Sequence, residues 1–154
     1  MPENLDRIDY KILHALQQDA RLTHQELSEK VGLSPSPCAR RIRKLETEGF
    51  ITGYSASIDD ARLGFGFSVF ISVRLDRQID DRLMAFETEI QRCPEIVECW
   101  LMTGRFDYLL RVAVSDLAEF ERFLTSRLTK LPGVASLDSS VPIRRVKNLP
   151  ARLE

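Results

Sequence analysis

Residues 34–49 read SPSPCARRIRKLETEG and place four basic side chains, Arg40, Arg41, Arg43 and Lys44, within five positions. Cations this dense suit contact with a polyanion such as a phosphate backbone. No acid interrupts them before Glu46. The same stretch holds Cys38 and two prolines, so a thiol site and a proline-broken loop are also open. A second loaded stretch is TGRFDY, residues 103–108. Gly104 permits a tight bend with exposed backbone N–H groups. Arg105 suits a carboxylate and Asp107 an ammonium, so the trio fits a zwitterion such as a free amino acid. The same residues also make a plain hairpin turn with its charges in water.

Other chemistry finds little support. The three cysteines, Cys38, Cys93 and Cys99, form no CxxC pair, and there are two histidines, His14 and His24. A disulfide framework and a metal site are not expected. His14 is expected at a core edge and His24 in solvent. GFGFSV is wrongly spaced for a dinucleotide loop. Asp59-Asp60 and Asp80-Asp81 read as turn and cap residues. The chain is expected not to be an enzyme and to need no cofactor.

The elements that would carry the basic cluster are short helices. Asp6 can cap a helix over 6–18 whose apolar residues recur as Ile8, Ile12, Ala15 and Leu16. Thr23 and Glu26 are spaced as a capping box, with Leu22 and Leu27 as a hydrophobic staple, and Gly32 stops that helix. In the opening stretch Ser36 is expected as cap and Pro37 as first helical residue, where proline costs no hydrogen bond. Cys38, Ile42 and Leu45 then share one face, and the cysteine serves as a small buried hydrophobe. Ala39, Arg40, Arg43 and Lys44 lie opposite, with Arg41 at the flank. A helix-turn-helix with a basic second helix suits the DNA major groove. Residues 1–60 carry eight basic and ten acidic side chains, so the basic edge is local.

LDRIDYKILHALQQDAR and LSEKVGLSPSPCARRIRKLETEGFITGY resemble the Lrp/AsnC family of transcription regulators, in residue type and in spacing.

The second half starts near Gly64. Phe65, Phe67, Val69, Ile71, Val73 and Leu75 alternate with Ser68, Ser72 and Arg74, as in a strand with one buried side. Leu83, Phe86 and Ile90 mark a helix in DDRLMAFETEIQRC. IVECWLMT and FDYLLRVAV read as strands joined at Gly104-Arg105. A second helix has Ser115 as cap and Leu117, Phe120, Leu124, Leu128 and Leu131 inward, and VASLDSSVPIRRV is a last strand. The order β-α-β-β-α-β is ferredoxin-like. The sheet's other face, with Ser68, Phe70 and Ser72, is not strongly polar, which predicts a homodimer through this half.

WLMTGRFDYLLRVAV and LPGVASLDSSVPIRRVKN extend the resemblance over about Leu5 to Asn148. It implies an effector-binding, oligomerising half, in dimers that assemble into tetramers or octamers. It places an amino-acid effector where dimers meet, at Met102, Thr103, Gly104, Asp107 and Tyr108 with Ser139 and Ser140. This chain carries Arg105 where family members often have an acidic or polar residue.

The expectation is therefore an α+β chain of two domains. Residues 1–60 form a helix-turn-helix, winged-helix-like domain with a connector strand; residues 61–154 form the ferredoxin-like domain. Base contacts are expected from Ala39, Arg40 and Arg43, and phosphate contacts from Ser34, Ser36, Arg41 and Lys44. The expected partners are double-stranded DNA, an amino acid and further copies of the chain. The alternative is a small-molecule sensor whose basic helix binds a protein partner. RNA binding lacks an exposed aromatic platform. Net charge is −1, with 44% apolar and 29% charged residues, and no apolar run reaches the roughly 18–20 residues of a membrane span, so the cytoplasm is the expected compartment.

Overall fold

The structure, a computed structural model of the chain, describes residues 5–77, 79–148 and 151–153. Two compact units emerge, Met1–Ser57 with Lys147–Glu154, and Ile58–Val146. A single boundary near residue 60 is expected from the sequence. The chain's end instead joins the first unit, where Gln17 Nε2 donates to the Ala151 carbonyl at 2.7 Å.

In the first unit α1 spans Arg7–Gln18, α2 His24–Val31 and α3 Pro35–Thr47. Asp6 caps α1: its side chain accepts the N–H of Ile8 and of Asp9, and the Asp9 carboxylate accepts the Asp6 N–H in return. Thr23 and Glu26 form the expected capping box on α2, and Gly32, at φ 75°, ends it. Left-handed backbone is where a residue without a Cβ is least strained. The core is Ile12, Leu27, Val31, Cys38, Ile42 and Leu45, with Leu22 packed on it.

The start of α3 corrects the expectation. Ser34 is the cap, and both prolines lie inside the first turn. The first helical N–H groups have no intrahelical acceptor, so neither proline forfeits a bond. Ser36 is helical although it precedes a proline. Burial of Cys38, Ile42 and Leu45 outweighs that local preference. His14 is exposed rather than at a core edge, and His24 is exposed as expected.

In the second unit β1 spans Phe67–Leu75, α4 Asp80–Ile90, β2 Ile96–Leu101, β3 Tyr108–Val114, α5 Leu117–Ser126 and β4 Val134–Ser140, with a 3-10 turn at Leu128–Lys130. The sheet order is β2-β3-β1-β4 with every neighbour antiparallel. The register aligns Val69 with Val112, Ile71 with Leu110 and Val73 with Tyr108. These residues share one face and pack on Phe86 and Ile90 of α4 and on Phe120 and Phe123 of α5. This is the expected ferredoxin-like arrangement.

Five details differ. Phe65 lies before β1 and is exposed. The cap of α5 is Asp116, whose carboxylate accepts the Glu119 N–H, while Ser115 donates to the Glu119 side chain. Leu117, the first residue of that helix, points outward and is 64% exposed, while Phe120 and Phe123 are buried. The last strand stops at Ser140, and the connector after α3 pairs with no strand among the described residues.

Candidate nucleic-acid interface and effector turn

α3 is positioned by its buried stripe, so its opposite side is fixed in direction. Ser36, Arg40, Arg43, Lys44 and Thr47 recur at helical spacing on that side, and all are exposed. Arg40 and Arg43 make no ion pair among the described residues, and Lys44 reaches Glu48 only at 3.9 Å. Ser34 is exposed at the cap, while Ala39 is half-buried beside the core. The Thr47 hydroxyl donates to the Arg43 carbonyl, so it reinforces the helix.

Arg41 is placed differently from its neighbours. Its Nη1 donates to Asp6 Oδ2 and to Asp9 Oδ1, each at 2.7 Å. The Asp9 side chain is 5% exposed and that of Arg41 30%. The bond to Asp9, then that to Asp6, raises the guanidinium's affinity for its proton. The Asp6 carboxyl is held below its ordinary range by the Asp9 N–H and then by Arg41. This clamp joins the start of α1 to the side of α3 and is not apparent from the sequence. Its one visible signal was the Asp6-x-x-Asp9 spacing, which reads as a cap alone. A further tie joins the connector to α3: the Tyr54 hydroxyl donates to Glu46 Oε1 at 2.9 Å. Burial and that carboxylate push the Tyr54 phenol up to about 12.

Met102–Asp107 link β2 to β3. Met102 N–H donates to the Asp107 carbonyl at 2.8 Å, and Asp107 N–H donates to Val73 O at 2.8 Å. Gly104 has φ 111°, so the bend uses backbone that other residues avoid. Met102, Thr103, Gly104 and Arg105 are exposed, and the Arg105 guanidinium lies 5.3 Å from the Phe106 ring centroid. Asp107 is 4% exposed, and its Oδ2 accepts the Leu75 N–H at 2.7 Å. That oxygen anchors the turn to β1 instead of facing solvent.

Tyr108 points to the helix side. It is 1% exposed, its ring centroid lies 4.7 Å from that of Phe86, and its hydroxyl donates to Glu87 Oε1 at 2.7 Å. Burial, then Glu87, pushes its phenol well above the usual range. Ser139 and Ser140 sit on β4, opposite Ile71 and Phe70. β2 and β4 are the two edges of the sheet. Three strand spacings, about 14 Å, therefore separate the serines from the β2 edge. One chain brings Met102, Thr103, Gly104, Arg105 and Asp107 together; it does not bring Ser139 and Ser140 to them.

The sheet face away from the helices carries Phe70, Leu109 and Trp100, with Trp100 44% exposed. Arg111 crosses it, bonded to Glu98 Oε1 at 2.7 Å and to Asp60 Oδ2 at 3.4 Å.

Residues 68–151 match the Lrp/AsnC ligand binding domain, and residues 5–52 match a winged helix-turn-helix DNA-binding model. The chain belongs to the Lrp/AsnC family. It is 49% identical to the Bkd operon transcriptional regulator of Pseudomonas aeruginosa, over 92% of this chain and 93% of that protein. It is 43% identical to the leucine-responsive regulatory protein of Escherichia coli K12, over 94% and 88%. A transcriptional regulator of Neisseria meningitidis, solved as a complex with L-methionine, superposes with a TM-score of 0.90 at 37% identity, over 95% and 94% of the two chains. The chain is thus a DNA-binding transcriptional regulator of the Lrp/AsnC type, a winged helix-turn-helix joined to a ligand-binding domain. No helix among the described residues is long and apolar enough to cross a membrane.

Proposed function

We propose that α3 reads operator sequence from the major groove, and that an amino acid bound at the 102–107 turn, between copies of the chain, adjusts that binding. The observation that carries the first half is the outward face of α3. Arg40 and Arg43 project from it with no ion pair among the described residues, and the core residues behind them fix its direction. Arginine on a groove-lying helix pairs bidentately with guanine. Lys44, Ser34 and Ser36 flank this face and suit phosphate. Arg41, occupied by two aspartates, orients α3 rather than touching DNA.

The second half rests on what one copy lacks. The turn offers the exposed residues Thr103, Gly104 and Arg105, with the Arg105 guanidinium for a carboxylate, while Asp107 holds the turn in place. The serines on the far edge of the sheet complete such a site only when a neighbouring copy supplies them. The apolar residues Trp100, Phe70 and Leu109 give the sheet a face for that neighbour. A homodimer, and tetramers or octamers built from it, follow from this reading. So does work in the cytoplasm, where the DNA is. The methionine bound by the Neisseria regulator supports an amino acid as ligand class. The effector acts by binding one assembly state more tightly than another.

Calorimetry with each of the twenty amino acids, paired with the oligomeric mass with and without each, tests the effector half. Absence of binding by every amino acid to the intact protein would remove it. Salt dependence on duplex DNA tests the other half, since phosphate contacts release counterions. A flat response would favour a protein partner for the basic helix.

A further inference from the structure

An amino acid brings two charges to its site, and the 102–107 turn answers one of them. Arg105 suits the carboxylate. Residues 102–107, MTGRFD, hold a single acid, Asp107. It is 4% exposed, and its Oδ2 accepts the Leu75 N–H at 2.7 Å. A carboxylate buried and committed in this way faces β1, not a ligand outside the turn. An ammonium drawn out of water needs an acceptor in place of its hydration. That acceptor must come from elsewhere.

The four strands of the sheet hold two carboxylates, Glu98 and Asp138. Both lie on the face away from the helices, because residues paired across a ladder share a face: Glu98 pairs with Arg111, and Asp138 with Ser72. Glu98 is occupied, with Arg111 Nε at 2.7 Å. Asp138 is exposed and makes no ion pair or side-chain hydrogen bond among the described residues, although Arg74 is its diagonal neighbour across the ladder. It adjoins Ser139 and Ser140 on the edge strand that a neighbouring copy would contribute. Within one copy, Ser72 and Leu109 stand between Asp138 and Trp100 in the register, so three strand spacings, about 14 Å, separate it from β2. The turn lies beyond Tyr108, which pairs with Val73, so it is displaced from Asp138 along the strands as well. The carboxylate and ammonium of an α-amino acid share one carbon. Arg105 and Asp138 of a single chain are placed too far apart to grip both.

We propose that Asp138, supplied by a neighbouring copy, accepts the effector's ammonium group, so that the site selects α-amino acids over 2-oxo acids with the same side chain. This rests on the effector reading of the 102–107 turn and deepens it. The carboxylate is read by one copy and the ammonium by the other, and the ligand's own two charges join the copies.

The test is calorimetry of the full-length protein with the twenty L-amino acids and, for each that binds, with the 2-oxo acid of the same side chain, which keeps the carboxylate and lacks the ammonium. Wild type should prefer the amino acid. Loss of a charge-assisted bond should make Asp138→Asn bind the amino acid about tenfold to a hundredfold more weakly, with the 2-oxo acid changed by less than about twofold. Arg105→Ala should weaken both ligands alike. Glu121→Gln, which removes an exposed carboxylate from α5, should alter neither. Equal mixtures of Arg105→Ala and Asp138→Asn chains should regain about a quarter of the wild-type sites. The proposal is overturned if wild type binds the 2-oxo acid as tightly as the amino acid. It is also overturned if Asp138→Asn weakens both ligands equally or neither, or if Glu121→Gln reproduces its effect. Mixtures that regain no sites would overturn the assignment of Asp138 to a neighbouring copy. Absence of binding by every amino acid would instead overturn the effector reading itself.

Discussion

Arg41 and Asp9 meet at 2.7 Å between α3 and α1, the guanidinium partly covered and the carboxylate almost wholly buried. Removing the arginine leaves a buried charge without its counter-ion, which costs more than the pair contributed. Arg41→Ala should lower stability by about 2–3 kcal/mol, below the range for fully buried pairs because Arg41 and Asp6 keep contact with water. Urea unfolding reads this directly. The salt slope of DNA binding at temperatures where the variant stays folded should hardly change. A clear drop in slope with unaltered stability would return Arg41 to the phosphate contacts.

Three helix starts depend on carboxylates whose protons are held weakly. Asp6 at α1, Glu26 at α2 and Glu119 at α5 all have lowered pKa values, caused first by the Asp9 N–H, the Thr23 N–H and the Ser115 side chain respectively. A folded-state pKa below the unfolded one means stability that is complete above the unfolded value and lost as pH falls through the folded value. Their ordinary values are 3.8 and 4.5. The urea midpoint should therefore be level from pH 7 to about 5 and decline below about 4. Glu26→Gln should reduce the steepness of that decline. A midpoint that falls already between pH 7 and 6 would point to other groups.

On α3 the two kinds of contact separate by what they discriminate. Arg40→Ala should weaken binding to the preferred operator by about 1–3 kcal/mol and leave substituted operators at that base pair almost unaffected. Lys44→Ala should weaken every duplex alike. Binding of a randomised operator pool, sequenced after selection, distinguishes the two. If Arg40→Ala also lowers all sequences uniformly, it touches phosphate and the base contact lies elsewhere.

The fold was largely legible because its signals are local. Thr23, Glu26 and Gly32 bracket α2, and alternation in β1 matched burial of Val69, Ile71, Val73 and Leu75. The errors came where two local signals competed. Ser36 before Pro37 and Ser34 before Pro35 are both acceptable starts, and core packing chose the earlier. Ser115 and Asp116 posed the same choice at α5. The candidate sites were less legible. Arg41 looks like its basic neighbours, and only the distant Asp6 and Asp9 withdraw it from them. Tyr108 adjoins the turn in sequence, yet strand alternation sends it to the helix side. Asp107 reads as a solvent-facing charge until the Leu75 N–H is placed beside it.

That last placement gives a prediction of its own. Asp107 Oδ2 accepts a buried backbone N–H, and an orphaned buried donor costs about 1–3 kcal/mol. Asp107→Ala should destabilise the second unit by that amount and abolish effector binding through loss of the turn's shape. Asp107→Asn keeps an acceptor and should retain most of both. A fully folded Asp107→Asn protein with no effector affinity would instead show that the carboxylate meets the ammonium group.

The separation of the turn from Ser139 and Ser140 sets the final test. Consider one variant with Arg105→Ala and a second with Ser139→Ala and Ser140→Ala, each weakened in effector binding. If a site takes its turn from one copy and its serines from another, mixed assemblies contain some sites that draw both intact parts from different chains. Random mixing in equal amounts makes this about a quarter of all sites. Co-refolded mixtures titrated by calorimetry should therefore regain about a quarter of the wild-type stoichiometry at wild-type affinity. A site contained within one chain cannot be rebuilt this way, because each chain carries one defect. Mixtures that bind no better than the average of the two variants would place the effector within a single copy, and the serines would then have no part in holding it.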